Sequence, residues 1–321
     1  MNAQVLQLPR AAPGQLPQPS NPAERAHLLL TSFLSGRSET TLKAYRQDLT
    51  DFAAFMGSPD PIPALSQLLA SDAGQANALA LAYRADLMNR GLKAATINRR
   101  MAALRSAVKM GRVLGLVSFT LEIGGVKRSP YRDTRGPGVD GFRAMVKAAK
   151  GQRGALAVRD LALLYLMRYM GLRRGEVAAL DVGDVDLERG AVAVLGKGQT
   201  DKELITLPDK TKAALTAWLN VRGMEPGPLF CNFHHDPRER KRISGTGLWW
   251  IVRALGRKAG VRVRPHGLRH LCITDALEKT NGNYDLAARV SRHKDIRVLR
   301  FYNDSREDVA GRVGGSPAFG M

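Results

Sequence analysis

Residues 124–138 read G-G-V-K-R-S-P-Y-R-D-T-R-G-P-G, and no regular element can run through them. Glycine adds conformational freedom that an element must then restrain, and proline fixes φ and removes a backbone donor. Such a break near the middle of 321 residues predicts two separately folded parts joined by an extended linker over 124–138. Residues 1–22, Pro-rich and without period, predict a disordered arm. The two parts are then 23–123 and 139–321, the latter ending in a short tail.

Hydrophobic periodicity predicts that the first part is helical. Ser38 is a candidate N-cap, and Leu42, Tyr45, Leu49, Phe52 and Met56 follow at spacings of three and four, stopping at Gly57 and Pro59. A further helix is predicted over 77–90 and another over 95–114. On the last, Ile97, Met101, Leu104 and Val108 make an apolar face, and Arg99, Arg100, Arg105, Lys109 and Arg112 crowd the others.

The second part changes period once. Helices are predicted over 139–150 and 157–170, followed by two short β-type runs at 191–195 and 203–207 with a glycine-flanked Lys197 between them. Helical pattern then returns at 210–221, at 247–259 and from His266. Trp249 and Trp250, on the 247–259 helix, are expected in the core. The fold class expected is mainly α with a small antiparallel β-sheet in the second part.

Charge narrows the partner. Lys and Arg number 49 against 29 Asp and Glu, a formal charge of +20, and the excess is spread over both parts. Neutralising phosphates is the main source of sequence-independent affinity for nucleic acid, so a polyanion gripped by both parts is expected. No run of 18 or more apolar residues and no signal-peptide pattern occurs, so the expected location is the cytoplasm and no membrane partner is expected. Cys231 and Cys272 are too few for a disulfide framework, and a zinc site on Cys231, His234 and His235 lacks a second ligand pair at finger-like spacing.

Six residues of the second part carry chemistry. They are Arg173 in G-L-R-R-G-E, Lys197 in L-G-K-G, His266 and Arg269 in P-H-G-L-R-H, His293 in S-R-H-K-D and Tyr302 in R-F-Y. Breaking a phosphodiester without metal needs a nucleophile, positive charge on the non-bridging oxygens and a proton for the leaving oxygen. Guanidinium groups grip phosphate through a planar fork of donors and stay charged. Preorganised charge of this kind is worth roughly 3 to 4 kcal/mol per donor in well-studied hydrolases. A tyrosine can attack to give a covalent intermediate. Taken singly, each fragment is unremarkable: G-K-G is most often a hairpin turn, and Arg173 a solvated arginine at a helix start.

In order and spacing, the six resemble the active site of the tyrosine recombinases, the phage-integrase family that includes the Xer-type enzymes. The resemblance covers residues 23–312, with T-I-N-R-R-M-A-A-L-R-S (96–106) its clearest stretch in the first part. It implies a helical core-binding domain and a mixed α+β catalytic domain acting on double-stranded DNA that carries an inverted-repeat site. Tyr302 would be the nucleophile forming a 3'-phosphotyrosine, and Arg173 and Arg269 the phosphate clamp. Lys197 would be the general acid, His266 would assist the tyrosine proton, and His293 would bond the phosphate. The longer 196–202 loop departs from the family's common form and leaves Lys202 as a rival acid. Arg99, Arg100, Arg105, Lys109 and Arg112, with Lys127 and Arg128 of the linker, are the DNA contacts so implied. Synapsis as a homotetramer, strand exchange through a Holliday junction, and no cofactor, metal or ATP follow from the same resemblance. A type IB topoisomerase, a metal-dependent nuclease and a non-catalytic DNA-binding paralogue remain as alternatives. Glu176 is expected to orient Arg173 or cap its helix, and His270 to be structural. A helix over 306–313 is expected to pack on a neighbouring protomer.

Overall fold

A computed structural model of the chain describes residues 21–127, 136–196, 198–232, 241–293 and 295–302. The chain divides into two compact units, residues 1–130 and 131–321.

The first unit contains α1 (Pro22–Leu34), α2 (Glu39–Phe55), α3 (Pro61–Ala70), α4 (Ala73–Asn89) and α5 (Ala94–Val113). Local chemistry starts most of them: Asn21, Ser38, Asp60 and Asp72 each accept a backbone N–H of the first turn. One helix, α3, departs from the sequence reading, which passed over it. Pro61 and Pro63 suggest a loop, yet they lie in the first turn, where a missing N–H is harmless, and Asp60 caps that turn. Leu29, Phe33, Leu49, Phe52, Leu65, Leu68, Tyr83, Ile97, Met101 and Leu104 form one apolar core. After α5, residues 121–127 return along it, because the Asn98 amide accepts from the Val126 N–H at 2.8 Å and donates to the Val126 carbonyl at 3.0 Å.

The second unit begins with α6 (Gly138–Lys150), α7 (Ala155–Tyr169) and the short α8 (Arg174–Ala179). A three-stranded antiparallel sheet follows in the order β1 (Val185–Asp186), β2 (Ala191–Leu195) and β3 (Lys202–Thr206). The β2–β3 register runs from Ala191 opposite Thr206 to Leu195 opposite Lys202. The chain continues through α9 (Asp209–Arg222), α10 (Gly245–Lys258), α11 (Pro265–Lys279) and α12 (Tyr284–Ser291) to a 3-10 turn over Ile296–Phe301. The main core joins α6, α7, α9 and α10 with the sheet, around Leu163, Leu166, Met167, Val192, Leu215, Trp218, Phe230 and Leu248. A smaller cluster of Ile273, Ala276, Leu277, Ala287, Ala288 and Leu299 pins the last turn to α11 and α12.

The tryptophans of α10 correct an expectation. Leu248, Val252 and Leu255 are the buried stripe of that helix, while Trp250 is 57% exposed and Trp249 half-buried. The Arg253 guanidinium lies 4.9 Å from the Trp249 ring centre. Trp218 of α9 is the tryptophan in the core, its indole N–H donating to the Leu229 carbonyl at 2.9 Å.

Candidate active site

The site is assembled around Arg269, in the first turns of α11. Pro265 starts that helix with its φ preset, so His266 and Arg269 share a face three positions apart. The Arg269 side chain turns inward and is 1% exposed. Its two terminal nitrogens donate to the carbonyls of Gly171 and Ser291. Gly171 adopts φ +59°, and a Cβ there would come within 3.2 Å of the Cys272 sulfur, so both backbone conformation and space call for glycine. Among the described residues no carboxylate is ion-paired with Arg269. Burial, followed by the charge of Arg173, pushes its pKa down to about 10.

Arg173 stands at the N-terminal edge of α8, half-buried. Glu176, one turn on, accepts the Arg173 backbone N–H at 2.9 Å and its guanidinium at 2.7 Å, so the carboxylate starts the helix and orients the arginine together. Burial works to raise the Glu176 pKa, but the bonds from Arg173 and the charge of Arg292 outweigh it and hold the carboxyl below its ordinary value.

Tyr302 follows the 3-10 turn and is 6% exposed. Its hydroxyl lies 3.3 Å from His266 Nε2. The rings of His270 and His293 flank it at 4.9 Å and 5.8 Å between centres. Burial pushes the phenol pKa up, and Arg269 and Arg173 pull against that rise. His266 is partly open to solvent, but desolvation, reinforced by the Arg269 charge, lowers its pKa. The shift favours the neutral imidazole, the form that can accept the phenol proton.

His293 reads both its neighbours. Its Nε2 is 3.4 Å from an Arg269 nitrogen, and its Nδ1 is 2.8 Å from Ser291 Oγ. A guanidinium can only donate, so Nε2 must accept and the proton sits on Nδ1, donated to Ser291. Burial and the neighbouring Arg269 push the His293 pKa down to about 4.

Thus five of the six residues singled out from sequence, Arg173, His266, Arg269, His293 and Tyr302, are neighbours in one site. Lys197 lies outside the described residues. Its rival Lys202 is half-exposed and paired with the Asp184 carboxylate. His270, expected to be structural, is buried, with its ring tilted at 44° to that of Tyr302. Sequence reasoning missed Arg292 and Ser291 altogether, because nothing in a local pattern says which distant group they meet.

The basic face of α5 divides. Lys109, Arg112 and the following Lys127 are exposed. Arg100, expected to contact DNA, is 9% exposed and paired with Asp51 at 2.8 Å, with Asp48 beside it. That expectation is corrected: its turn of the helix faces α2, and its charge is neutralised inside the bundle. Arg99 is paired with Asp48 while remaining partly open, and Arg105 donates to the Ile123 carbonyl. Arg128, most of the linker, His234, His235 and the 306–313 tail lie outside the described residues. Cys231 is buried, and no cluster of three or more His, Cys, Asp or Glu placed to hold a metal ion occurs among the described residues. No helix among them is long and apolar enough to cross a membrane.

Comparison with known proteins identifies the family. Residues 140–308 match the phage integrase family, and residues 31–110 match the phage integrase N-terminal SAM-like domain. The tyrosine recombinase slr0733 of Synechocystis is 36% identical over 310 residues, 93% of this chain and 97% of the relative. Tyrosine recombinase XerC of Xylella fastidiosa strain 9a5c is 28% identical over 278 residues, 83% of this chain and 86% of the relative. Two solved structures share the fold. XerH site-specific recombinase bound to difH substrate superposes with a TM-score of 0.64 at 19% identity, covering 92% of this chain and 85% of that one. A lambda integrase tetramer bound to a Holliday junction gives 0.62 at 17% identity, covering 88% and 78%.

Proposed function

This chain belongs to the phage integrase family of tyrosine recombinases, and from that membership we propose a division of labour among its residues. Tyr302 attacks the scissile phosphate of a double-stranded recombination site and becomes joined to the 3' phosphate, releasing a 5' hydroxyl. His266 takes the phenol proton as the attack proceeds. Arg173 and Arg269 hold the non-bridging oxygens, and His293, whose Nδ1–H is engaged with Ser291, turns its Nε2 edge toward the same space. On binding phosphate that nitrogen must carry a proton to donate, and the anion itself raises the histidine pKa toward that state. Lys197 protonates the leaving 5' oxygen. Attack by the 5' hydroxyl of a partner strand reverses the chemistry and reseals the backbone without an external energy source.

The observation that carries this reading is the Tyr302 hydroxyl, 3.3 Å from His266 Nε2 and beside a buried arginine paired with no carboxylate among the described residues. A phenol in an apolar core needs neither neighbour. Both are required where a phosphate must be held and a proton removed.

The relatives support the wider assembly. We read the DNA as an inverted-repeat site bound by two protomers, with two sites synapsed by a homotetramer and exchanged through a Holliday junction, in the cytoplasm. Lys109, Arg112 and Lys127, exposed on the first unit, are the described cations best placed to meet the phosphate backbone, with Arg128 beside them in sequence.

Trapping tests the chemistry. A site-containing duplex nicked close to the cleavage point should capture the chain covalently in the presence of EDTA, and Tyr302→Phe should bind the same duplex without forming an adduct. An adduct that persists in Tyr302→Phe, or cleavage abolished by EDTA, would overturn the reading. Lys197→Ala should be rescued by a substrate with sulfur at the leaving position, which needs no protonation; no rescue would remove Lys197 from the role of acid.

A further inference from the structure

Among the described residues only Asn281 and Arg292 adopt positive φ without being glycine. Asparagine tolerates that conformation, whereas arginine, with a bulky side chain and no local hydrogen bond to compensate, does so rarely. Arg292 closes α12 at φ 53°, ψ 45°, where glycine is the usual residue. A strained position is kept where the side chain has work that the backbone conformation makes possible. Here the turn sends the Arg292 side chain back into the protein: it is 10% exposed, and one terminal nitrogen lies 2.6 Å from Glu176 Oε2. Its Nε and Nη1 are buried with no hydrogen-bond partner among the described residues, so the site accepts an incompletely satisfied cation to have it there.

Glu176 explains why. The carboxylate that orients Arg173 also cancels part of the Arg173 charge, at the position where an incoming phosphate needs it. A second guanidinium on the far oxygen offsets that cancellation. Arg292 meets Glu176 across a sequence separation of 116 residues, so the contact also ties the turn carrying His293 to the start of α8.

We propose that Arg292 is a positioning residue: it is the counter-charge to Glu176, leaving Arg173 free to act on phosphate and fixing His293 beside it. The proposal rests on the reading of Arg173 as a phosphate ligand. It involves no contact between Arg292 and DNA.

Arg292→Gly suits the backbone while removing the cation, and Arg292→Asn is a second variant compatible with positive φ. Either should melt no lower than the parent chain by more than a few degrees and bind site DNA comparably. Adduct formation on the nicked duplex should fall roughly 10- to 100-fold, by analogy with the outer-shell partners that orient metal ligands. Arg292→Lys should retain most of the rate. Adding Glu176→Gln to Arg292→Gly should recover part of the loss, because the uncompensated carboxylate is then gone, whereas a purely architectural Arg292 would make the double variant slower than either single one. In the DNA-free chain, the Glu176 carboxyl followed by carbon NMR should titrate at higher pH once Arg292 is replaced. A parental cleavage rate in Arg292→Gly, a slower double variant, or an unmoved Glu176 titration would each overturn the proposal. If the parent chain itself forms no adduct, the recombination chemistry fails, and the Glu176 titration still decides whether the counter-charge exists.

Discussion

Arg100 in the first unit and Arg269 in the second are both withdrawn from water, yet they are held in opposite ways. Arg100 sits against Asp51, with Asp48 adjacent, and its charge is cancelled within the helix bundle. Arg269 is fixed by two backbone carbonyls, faces a second arginine and lacks a paired carboxylate among the described residues. Carbonyl dipoles orient a guanidinium without removing its net charge. A cancelled cation holds helices together, whereas an uncancelled one exerts a field on whatever anion enters, and this separates a structural arginine from a functional one where burial alone does not.

The contrast can be broken most decisively at Arg100. Arg100→Ala removes the buried cation between Asp51, which keeps Arg90 and Tyr83, and Asp48, which keeps Arg99, and removal of one member of a buried ion pair costs up to about 3–5 kcal/mol. Denaturant unfolding should show a loss of up to that size, with the covalent step intact wherever the chain is folded. A stability like the parent's would mean that Arg100 is not the cation the two aspartates depend on.

Arg269→Ala should invert the pattern. Cleavage of the nicked duplex should fall by roughly 10²- to 10³-fold, the scale seen when a preorganised donor is lost, while the melting temperature should fall less than for Arg100→Ala. Equal losses of stability in the two variants would erase the distinction.

Acid sharpens the comparison further. An unfolded histidine takes up its proton near its ordinary value of 6.5, but folded His293 resists until about pH 4. The unfolded state therefore binds more protons in that window, and the His293 contribution to stability, complete above 6.5, is lost as pH falls toward 4. His266, also lowered by burial and Arg269, adds in the same direction. Asp48 has the opposite sign: burial outweighs Arg99 and Arg100 and raises its pKa, so its contribution is present at low pH and lost as pH rises through the folded value. Melting curves across this range should show the second unit weakening on acidification, and His293→Gln should flatten that dependence. An unaltered dependence in the variant would place the acid sensitivity elsewhere.

The smallest effects belong to the exposed cations. Lys109→Ala and Arg112→Ala should weaken DNA binding similarly for specific and unrelated sequences, each reducing the salt slope by about 1. A selective loss at one base position would instead make either residue a reader of sequence.

Much of the fold was legible because periodicity reports local burial. The stripe from Leu42 to Met56 and the two β-type runs fall where α2, β2 and β3 form, with ends differing by a residue or so. α3 escaped because prolines look alike whether they open a helix or interrupt one, and only the Asp60 cap distinguishes them. Trp249 and Trp250 were placed inside because they are large and apolar, although the stripe of Leu248, Val252 and Leu255 sets the phase of α10 and leaves Trp250 outside. In the candidate site, the order of arginines, histidines and tyrosine was visible as a pattern of residue types. The bond from Tyr302 to His266, the tautomer of His293 and the bridge through Glu176 were not.

By itself the sequence determined the helical character of the chain, its division near residues 124–138, its excess of positive charge and the set of reactive residue types available to it. These are local or additive properties, and folding does not change them. Tertiary structure alone decided what each cation does. Arg99 and Arg100 are adjacent in sequence, but one helical step of about 100° leaves the first partly in solvent and turns the second into the bundle against Asp51. Arg269 and Arg292 acquire their settings from Gly171 and Glu176, far away along the chain. The field at a charged group depends on which dipoles and counter-charges surround it, and only the folded chain brings those together.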